Sequence, residues 1–444
     1  MSGLALLARQ QGLAVTGCDA DPSGAADLAA LGVEIWRGHD PAHLAEARAV
    51  VVTAAVAGQH PELERARALG IPVVRRADAL GQAVAGGTLV AIAGTHGKTT
   101  TTVMVTEALA AAGRNPTGLA GGRVARWRGN ALLGGRELFV VEADEYDRAF
   151  LSLEPTVAVV NNVEADHLEC YGDVPALEQA FVEFAGRARQ ALVGADDAGA
   201  RRVAAALRVP VRRVGTAAEA EVRIADVVLG TDESRARVRL ADGSDVPVRL
   251  RVPGMHNLRN AAMALAVVEV LGADRAKAVA ALERFTGVAR RFERIGEAGG
   301  ATFVDDYAHH PTEVRATLEA ARQVFPGRRL VAVFQPHLYS RTALHGDALG
   351  RALAEADVVV VAPIYAAREK PMPGVTAELV ARGAARAGAA VTAVRDRAAL
   401  VDRVARLLVP GDVVFTLGAG DVTQVGPALV TRLGTNAAGW RNGR

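Results

Sequence analysis

Between Leu89 and Thr102 the chain reads Leu-Val-Ala-Ile-Ala-Gly94-Thr95-His96-Gly97-Lys98-Thr99-Thr100-Thr101-Thr102. An apolar, β-branched run enters a turn punctuated by two glycines. A lysine, hydroxyl residues and an amphipathic helical stretch (Val103 to Ala112) follow. Such a strand–loop–helix commits the chain to an α/β architecture and predicts a polyphosphate site. The glycines let backbone N–H groups approach the anion, and the helix N-terminus adds partial positive charge. Lys98 suits the β/γ oxygens of ATP, and the Thr99 hydroxyl suits a phosphate-bridging Mg²⁺. The spacing is shorter than the usual phosphate loop, because the residue six before Lys98 is Ile92 rather than Gly. Gly-Lys-Thr-Thr directly after a strand nevertheless sets this apart from an ordinary glycine turn, and ATP binding is expected.

At 444 residues the chain is too long for one compact core, so two or three domains are expected. A formal net charge of +2 gives no pull toward nucleic acid or a membrane surface. Arginine is so preferred over lysine that Lys98, Lys277 and Lys370 are the only lysines, which sharpens the reading of Lys98. No apolar run reaches about 18 residues and no basic-then-apolar leader is present, so neither a spanning helix nor a signal peptide is expected. Cys18 and Cys170 are far apart in sequence and read as lacking metal-ligand company. A reduced, cytoplasmic protein is the simplest expectation.

The first region, residues 1–86, alternates short apolar strands (14–19, 50–53, 71–74) with helical stretches, which implies a parallel sheet with ligands at the strand carboxyl ends. Asp19 sits at such an end, placed to bond a ribose or base, or else is a solvated turn residue. The region opens on a helix, Met1 to Leu7, with no strand before it; the expectation is that a first strand is missing because Met1 is internal to a longer protein. The second region, 87–292, carries the phosphate loop, strands at 138–142 and 156–163, and an alternating stretch from Glu221 to Val252 around Ala241-Asp-Gly-Ser244 that reads as an antiparallel hairpin or meander. Helices follow at 256–271 and 275–285. The third region, 293–434, is read as strict β–α alternation with strands at 302–304, 330–334, 358–361, 391–394 and 413–417. The tail, 435–444, reads as loose.

Chemistry-bearing residues gather at the strand ends. Glu142, Asp144 and Glu145 close the strand at 138–142; hard Mg²⁺ prefers such oxygens, and Glu142, first past the apolar run, is the best candidate. Asp144 and Glu145 read equally well as solvated loop acids. His167, in Glu164-Ala-Asp-His167, ends the next strand and is a candidate for a metal or phosphate. Asn257 and Asn260 share a helix face, and their amides suit the edge of adenine; capping by Asn257 is the alternative. Arg290 and Arg291, at a presumed junction, suit a phosphate or an interdomain salt bridge. In the third region Asp305-Asp306-Tyr307-Ala-His309-His310 and Gln335-Pro-His337-Leu338-Tyr-Ser-Arg341-Thr follow successive strands. They predict a substrate-binding rim, and no third ligand at zinc spacing accompanies the paired histidines.

Taken together, Gly94-Thr-His-Gly-Lys-Thr-Thr, Glu142-Ala-Asp-Glu, Glu164-Ala-Asp-His, His256-Asn-x-x-Asn, Arg290-Arg-Phe, Asp305-Asp-Tyr-Ala-His-His-Pro and Gln335-Pro-His-x-Tyr-Ser-Arg-Thr resemble the ATP-dependent muramyl ligases over nearly the whole chain. The resemblance implies three α/β domains: a Rossmann-like domain for the UDP-sugar, a central P-loop ATPase-type mixed sheet for ATP, and a Rossmann-like doubly wound domain for the amino acid. It implies a cytoplasmic ligase joining L-alanine to the lactyl carboxylate of UDP-N-acetylmuramate through an acyl phosphate, monomeric or homodimeric. Gly94, Thr95, His96, Gly97, Lys98, Thr99 and Thr100 would hold ATP, with Thr99, Glu142 and His167 holding Mg²⁺. Asn257 and Asn260 would meet adenine, Arg291 a phosphate and Asp306 the ribose. Asp19, Tyr307, His309, His337 and Arg341 would bind substrates, and Lys98, His309 (as general base) and Arg341 would be catalytic. Leu338 stands where many members carry arginine. Tyr146, often serine in the alanine-adding branch, is similar to the branch that recycles murein peptides. No lysine between Lys98 and Lys277 is available for carbamylation. The two alternatives are a recycling ligase adding a tripeptide to the same sugar and a degenerate or truncated nucleotide-binding protein.

Overall fold

The structure is a computed structural model that describes residues 1–56, 59–367 and 369–434. The tail read as loose, 435–444, lies outside the described residues. The chain forms two compact units. One is Met1–Asp226 with Arg237–Val248 and Arg259–Arg284; the other is Val227–Ala236 with Arg249–Leu258 and the chain from Phe285 on. No helix among the described residues is long and apolar enough to cross a membrane.

The first unit opens on the helix Ser2–Gln10, which buries Leu6 and Leu7. Strand β1 (Thr16–Asp19) pairs in parallel with β2 (Glu34–Arg37), and β3 (Val50–Val52) with β4 (Val73–Arg75). The parallel direction agrees with the alternation read from sequence, but these strands of three or four residues form two separate pairs rather than one sheet. Next come β5 (Thr88–Ala93), β6 (Thr117–Val124), β7 (Gly129–Leu132), β8 (Leu138–Glu142), β9 (Val157–Val160), β10 (Gln190–Gly194), β11 (Val211–Gly215), β12 (Val222–Leu229), β13 (Ser234–Arg239) and β14 (Asp245–Leu250). They make one mixed sheet in the order β14-β13-β12-β11-β10-β9-β5-β8-β6-β7. The phosphate-loop strand β5 is thus flanked in parallel by β8 and β9, and the acids after β8 share a rim with the loop. β13 and β14, alternately buried and exposed, are joined through Leu240–Ser244, as the alternation predicted.

The helix after the loop spans Lys98–Ala111 and is buried on nearly every side, not amphipathic as expected. Its threonine hydroxyls explain how so polar a stretch is covered. Thr102 Oγ1 donates to the Lys98 carbonyl at 2.9 Å and Thr106 Oγ1 to that of Thr102 at 2.7 Å, so these two hydroxyls are satisfied within the helix.

In the second unit β16 (Ala301–Asp306), β20 (Val413–Leu417), β17 (Leu330–Phe334), β18 (Val358–Val361) and β19 (Ala390–Ala393) are adjacent and parallel. Buried clusters on both faces, one around Phe334 and Phe415 and one around Phe303 and Val414, make it doubly wound. The strict alternation fails at its start. β15 (Glu293–Ala298) runs antiparallel to β16 as an edge strand, turned by Gly299 and Gly300, both at positive φ. Only Ala298 of β15 is buried, so no apolar run announces it.

Candidate active site

Gly94 and Gly97 shape the loop between β5 and its helix. Both have positive φ (133° and 76°), and a Cβ at Gly94 would lie 3.0 Å from the Asn161 nitrogen. A Cβ at Gly97 would lie 2.8 Å from Asn260 Oδ1. Asn161 and Asn162, just past β9, were not singled out from sequence, yet they brace the loop. Asn162 Oδ1 accepts from the His96 N–H at 2.7 Å, and Asn161 Nδ2 donates to the His96 carbonyl at 3.2 Å. Their signal was the position of two amides at the end of a strand beside β5.

Lys98 Nζ lies 2.8 Å from Glu145 Oε1 and 2.7 Å from the Gly94 carbonyl. Burial opposes the ammonium, but Glu145, Asp144 and Glu142 more than offset it and hold its pKa above the ordinary lysine range. Glu145 is therefore not the solvated loop acid that sequence allowed; it is 1% exposed, and its Oε2 is buried with no hydrogen-bond partner. Thr99 Oγ1 donates to Glu142 Oε1 at 3.1 Å, and Glu142 Oε2 accepts from the Gly121 N–H. Two oxygens on adjacent corners of a Mg²⁺ octahedron lie about 3 Å apart, so this hard-oxygen pair fits that ion. Gly121 was also missed from sequence; a Cβ there would lie 2.5 Å from Glu142 Oε1 and displace that carboxylate.

His167 heads the helix Leu168–Tyr171 at φ 52°, with Asp166 and Glu169 at 3.7 and 3.4 Å from its ring nitrogens and Tyr146 edge-on at 5.1 Å. Its charge bears on Glu145. Asn260, on the helix Met255–Val270, accepts from Thr101 Oγ1 at its Oδ1 at 3.1 Å, which ties that helix to the phosphate-loop helix. Asn257 Nδ2 donates to the Pro253 carbonyl at 2.8 Å. Asp19 is exposed and accepts from the Asp21 N–H at 2.9 Å, a local turn contact. Cys18 beside it does not lack ligand-type company, as sequence separation suggested: His39 and Glu62 converge on it in space.

In the second unit the two arginines do different work. Arg290 Nε donates to Asp305 Oδ2 at 3.0 Å, so it forms a salt bridge inside this unit, and its guanidinium lies 4.9 Å from the Tyr307 ring centroid. Arg291 lies 4.9 Å from the same centroid and 3.9 Å from Glu313. Asp306 accepts from the backbone N–H groups of Phe292 (2.7 Å) and Ala308 (2.8 Å). Burial pushes its pKa up to about 6 against the pull of Arg291. His309 Nδ1 lies 2.9 Å from the Tyr307 carbonyl, a contact that assigns the proton to Nδ1 and makes Nε2 the basic nitrogen. Arg341, 7% exposed, donates to His337 Nδ1 at 3.3 Å, and His337 stacks on Tyr365 at 5.7 Å. Leu338 is buried at φ 68° and ψ 142°, a strained backbone that sets the turn between His337 and Arg341. Gln335 bonds Asp421 at 2.6 Å; Tyr365 and Asp421 are far away in sequence and had no local signal.

Three family models match in sequence order: Mur ligase family, catalytic domain (residues 1–88); Mur ligase middle domain (92–268); and Mur ligase, glutamate ligase domain (290–420). The chain is 44% identical to a UDP-N-acetylmuramate–L-alanine ligase of Thermobifida fusca, over 98% of this chain and 94% of that one. It is 46% identical to one of Cutibacterium acnes, over 97% and 93%. Among solved structures, a UDP-N-acetylmuramate–alanine ligase of Thermotoga maritima matches with a TM-score of 0.81 at 27% identity, covering 97% of this chain and 96% of that one. A murein peptide ligase of Psychrobacter arcticus matches with a TM-score of 0.73 at 26% identity, covering 98% and 96%.

Proposed function

The chain belongs to the Mur ligase family, and from that premise we propose that it joins L-alanine to the lactyl carboxylate of UDP-N-acetylmuramate, driven by ATP. It is an amide-forming ligase of peptidoglycan precursor synthesis. The observation that carries the chemistry is the paired arrangement Lys98–Glu145 and Thr99–Glu142 around a glycine-shaped loop. A carboxylate is too resonance-stabilised to accept an amine directly. Its activation by phosphoryl transfer needs positive charge held where phosphate charge shifts. Lys98 supplies a fixed charge there, and Mg²⁺ held by Thr99 and Glu142, with His167 as a further ligand, would neutralise phosphate oxygens.

The division of labour proposed for the chain is UDP-sugar on 1–86, ATP on 87–292 and amino acid on 293–434. Gly94, Thr95, His96, Gly97 and Thr100 form the loop that holds the phosphates, Asn257 and Asn260 meet adenine, Arg291 a phosphate and Asp306 the ribose. Arg341, planar and buried, suits the sugar carboxylate with His337 bonded to it, Tyr307 serves the substrates from against His309, and Asp19 serves the nucleotide. His309 Nε2 takes the amine proton as general base. A cytoplasmic setting follows from the use of ATP and a nucleotide sugar.

The activated intermediate is testable with hydroxylamine in place of alanine. ATP-dependent formation of UDP-N-acetylmuramyl hydroxamate supports the acyl phosphate. Amide formation with alanine but no hydroxamate and no phosphate release would overturn it. Tyr146, at a position often serine in the alanine-adding branch, favours a tripeptide-adding reading, and a substrate comparison decides it.

A further inference from the structure

We propose that Cys18, His39 and Glu62 form a binding site for a zinc-class divalent cation, built from residues other than those of the phosphate loop. Three separate segments bring them together. Cys18 lies near the end of β1, His39 follows β2, and Glu62 lies in the first turn of the helix Pro61–Ala68. Cys18 Sγ is 3.3 Å from His39 Nδ1 and 3.2 Å from both Glu62 oxygens, while His39 Nδ1 is 3.7 Å from Glu62 Oε2. Ligand atoms on one tetrahedral zinc ion, at bonds of about 2.0–2.3 Å, lie roughly 3.3–3.8 Å from one another. The three donors therefore already span the edges of such a tetrahedron. The thiol proton that Cys18 directs at Glu62 stands where the cation would sit.

The surroundings are those of a supported site. Glu62 is 7% exposed, and its Oε1 lies 2.9 Å from His43 Nδ1 and accepts from the Asp40 N–H at 3.2 Å. His43 is in turn stacked on Trp36 at 4.4 Å, so the carboxylate is oriented by groups that are themselves held. A further imidazole lies beside the trio, against Glu62 and the His39 ring. His60 Nδ1 is buried with no hydrogen-bond partner, 3.9 Å from Glu62 Oε2, and its ring meets His39 edge-on at 4.6 Å. One sulfur, one imidazole nitrogen and one carboxylate select Zn²⁺ or Co²⁺ over the magnesium and calcium that prefer all-oxygen sets. Bound there, the ion braces the short strand end that carries Asp19. The proposal does not depend on which reaction the chain performs.

Co²⁺ titrated into the chelator-treated full chain, in excess Mg²⁺, reads the site directly. The wild type and Cys170→Ser are expected to bind one equivalent with a near-ultraviolet thiolate-to-cobalt charge-transfer absorption. Cys18→Ser is expected to lose that absorption. His39→Ala, which alters a side chain already exposed, is expected to weaken Co²⁺ binding at least about tenfold without disturbing the fold. No charge-transfer absorption in the wild type, its survival in Cys18→Ser, or unchanged affinity in His39→Ala would each overturn the proposal.

Discussion

Lys98 and Glu145 are a buried ion pair, and removing one partner strands the other. Lys98→Ala is expected to lower turnover by roughly a hundredfold or more, since a charge facing phosphoryl transfer is gone. It also leaves Glu145 buried and unpaired, a loss of about 3–5 kcal/mol. Lys98→Ala/Glu145→Gln separates the two effects: thermal stability is expected to recover in part while activity stays lost. Activity returning with stability would mean that Lys98 matters only for folding. His309→Ala is expected to cut turnover by about a hundredfold, as the loss of a general base does; full turnover would remove it from that role. Asp306 titrates with the opposite sign to a surface carboxylate. Its pKa, pushed up to about 6 by burial, means the folded state holds its proton more tightly than the unfolded chain does. Its contribution to stability is full below about pH 4 and falls as pH rises to about 6. Stability measured against pH is therefore expected to show the wild type losing ground to Asp306→Asn by up to about 3 kcal/mol between those limits. A pH-independent difference would contradict the assignment.

Whole elements show why some of this was legible in advance. β5, β8, β17, β18 and β20 are short apolar runs with parallel neighbours, so their chemistry-bearing ends could be read directly. β15 could not, because a mostly exposed antiparallel edge strand carries no apolar run. The loop's glycines were legible as glycines, but not the reason for them, since Asn161 and Asn260 come from distant segments. That reason makes a prediction. Gly97→Ala forces a Cβ against Asn260 Oδ1 at a left-handed backbone and is expected to cost about 1–3 kcal/mol of local strain, read as a raised KM for ATP. An unchanged KM would show that the loop tolerates the displacement. Pairings across long sequence separation, such as Lys98 with Glu145 and His337 with Tyr365, depend on the folded rim and had no local signature.

The phosphate loop, the acids after β8 and the polar clusters after β16 and β17 lie at the carboxyl ends of strands in two sheets, each described within its own compact unit. The units also share out residues that sequence order cannot sort. Val227–Ala236 and Arg249–Leu258 belong with the second unit although β12, β13 and β14 each have residues in both. The family and the α/β fold were legible because several motifs, each weak alone, occur together and in order; the boundaries of compactness were not, because contacts rather than composition set them. The central claim is the reaction itself. Phosphate release from ATP with UDP-N-acetylmuramate, comparing L-alanine with the L-Ala-γ-D-Glu-diaminopimelate tripeptide, tests it most directly. Alanine-dependent release, absent in Lys98→Ala, is the predicted result; release with the tripeptide alone, or with neither amine while ATP still binds, would contradict it.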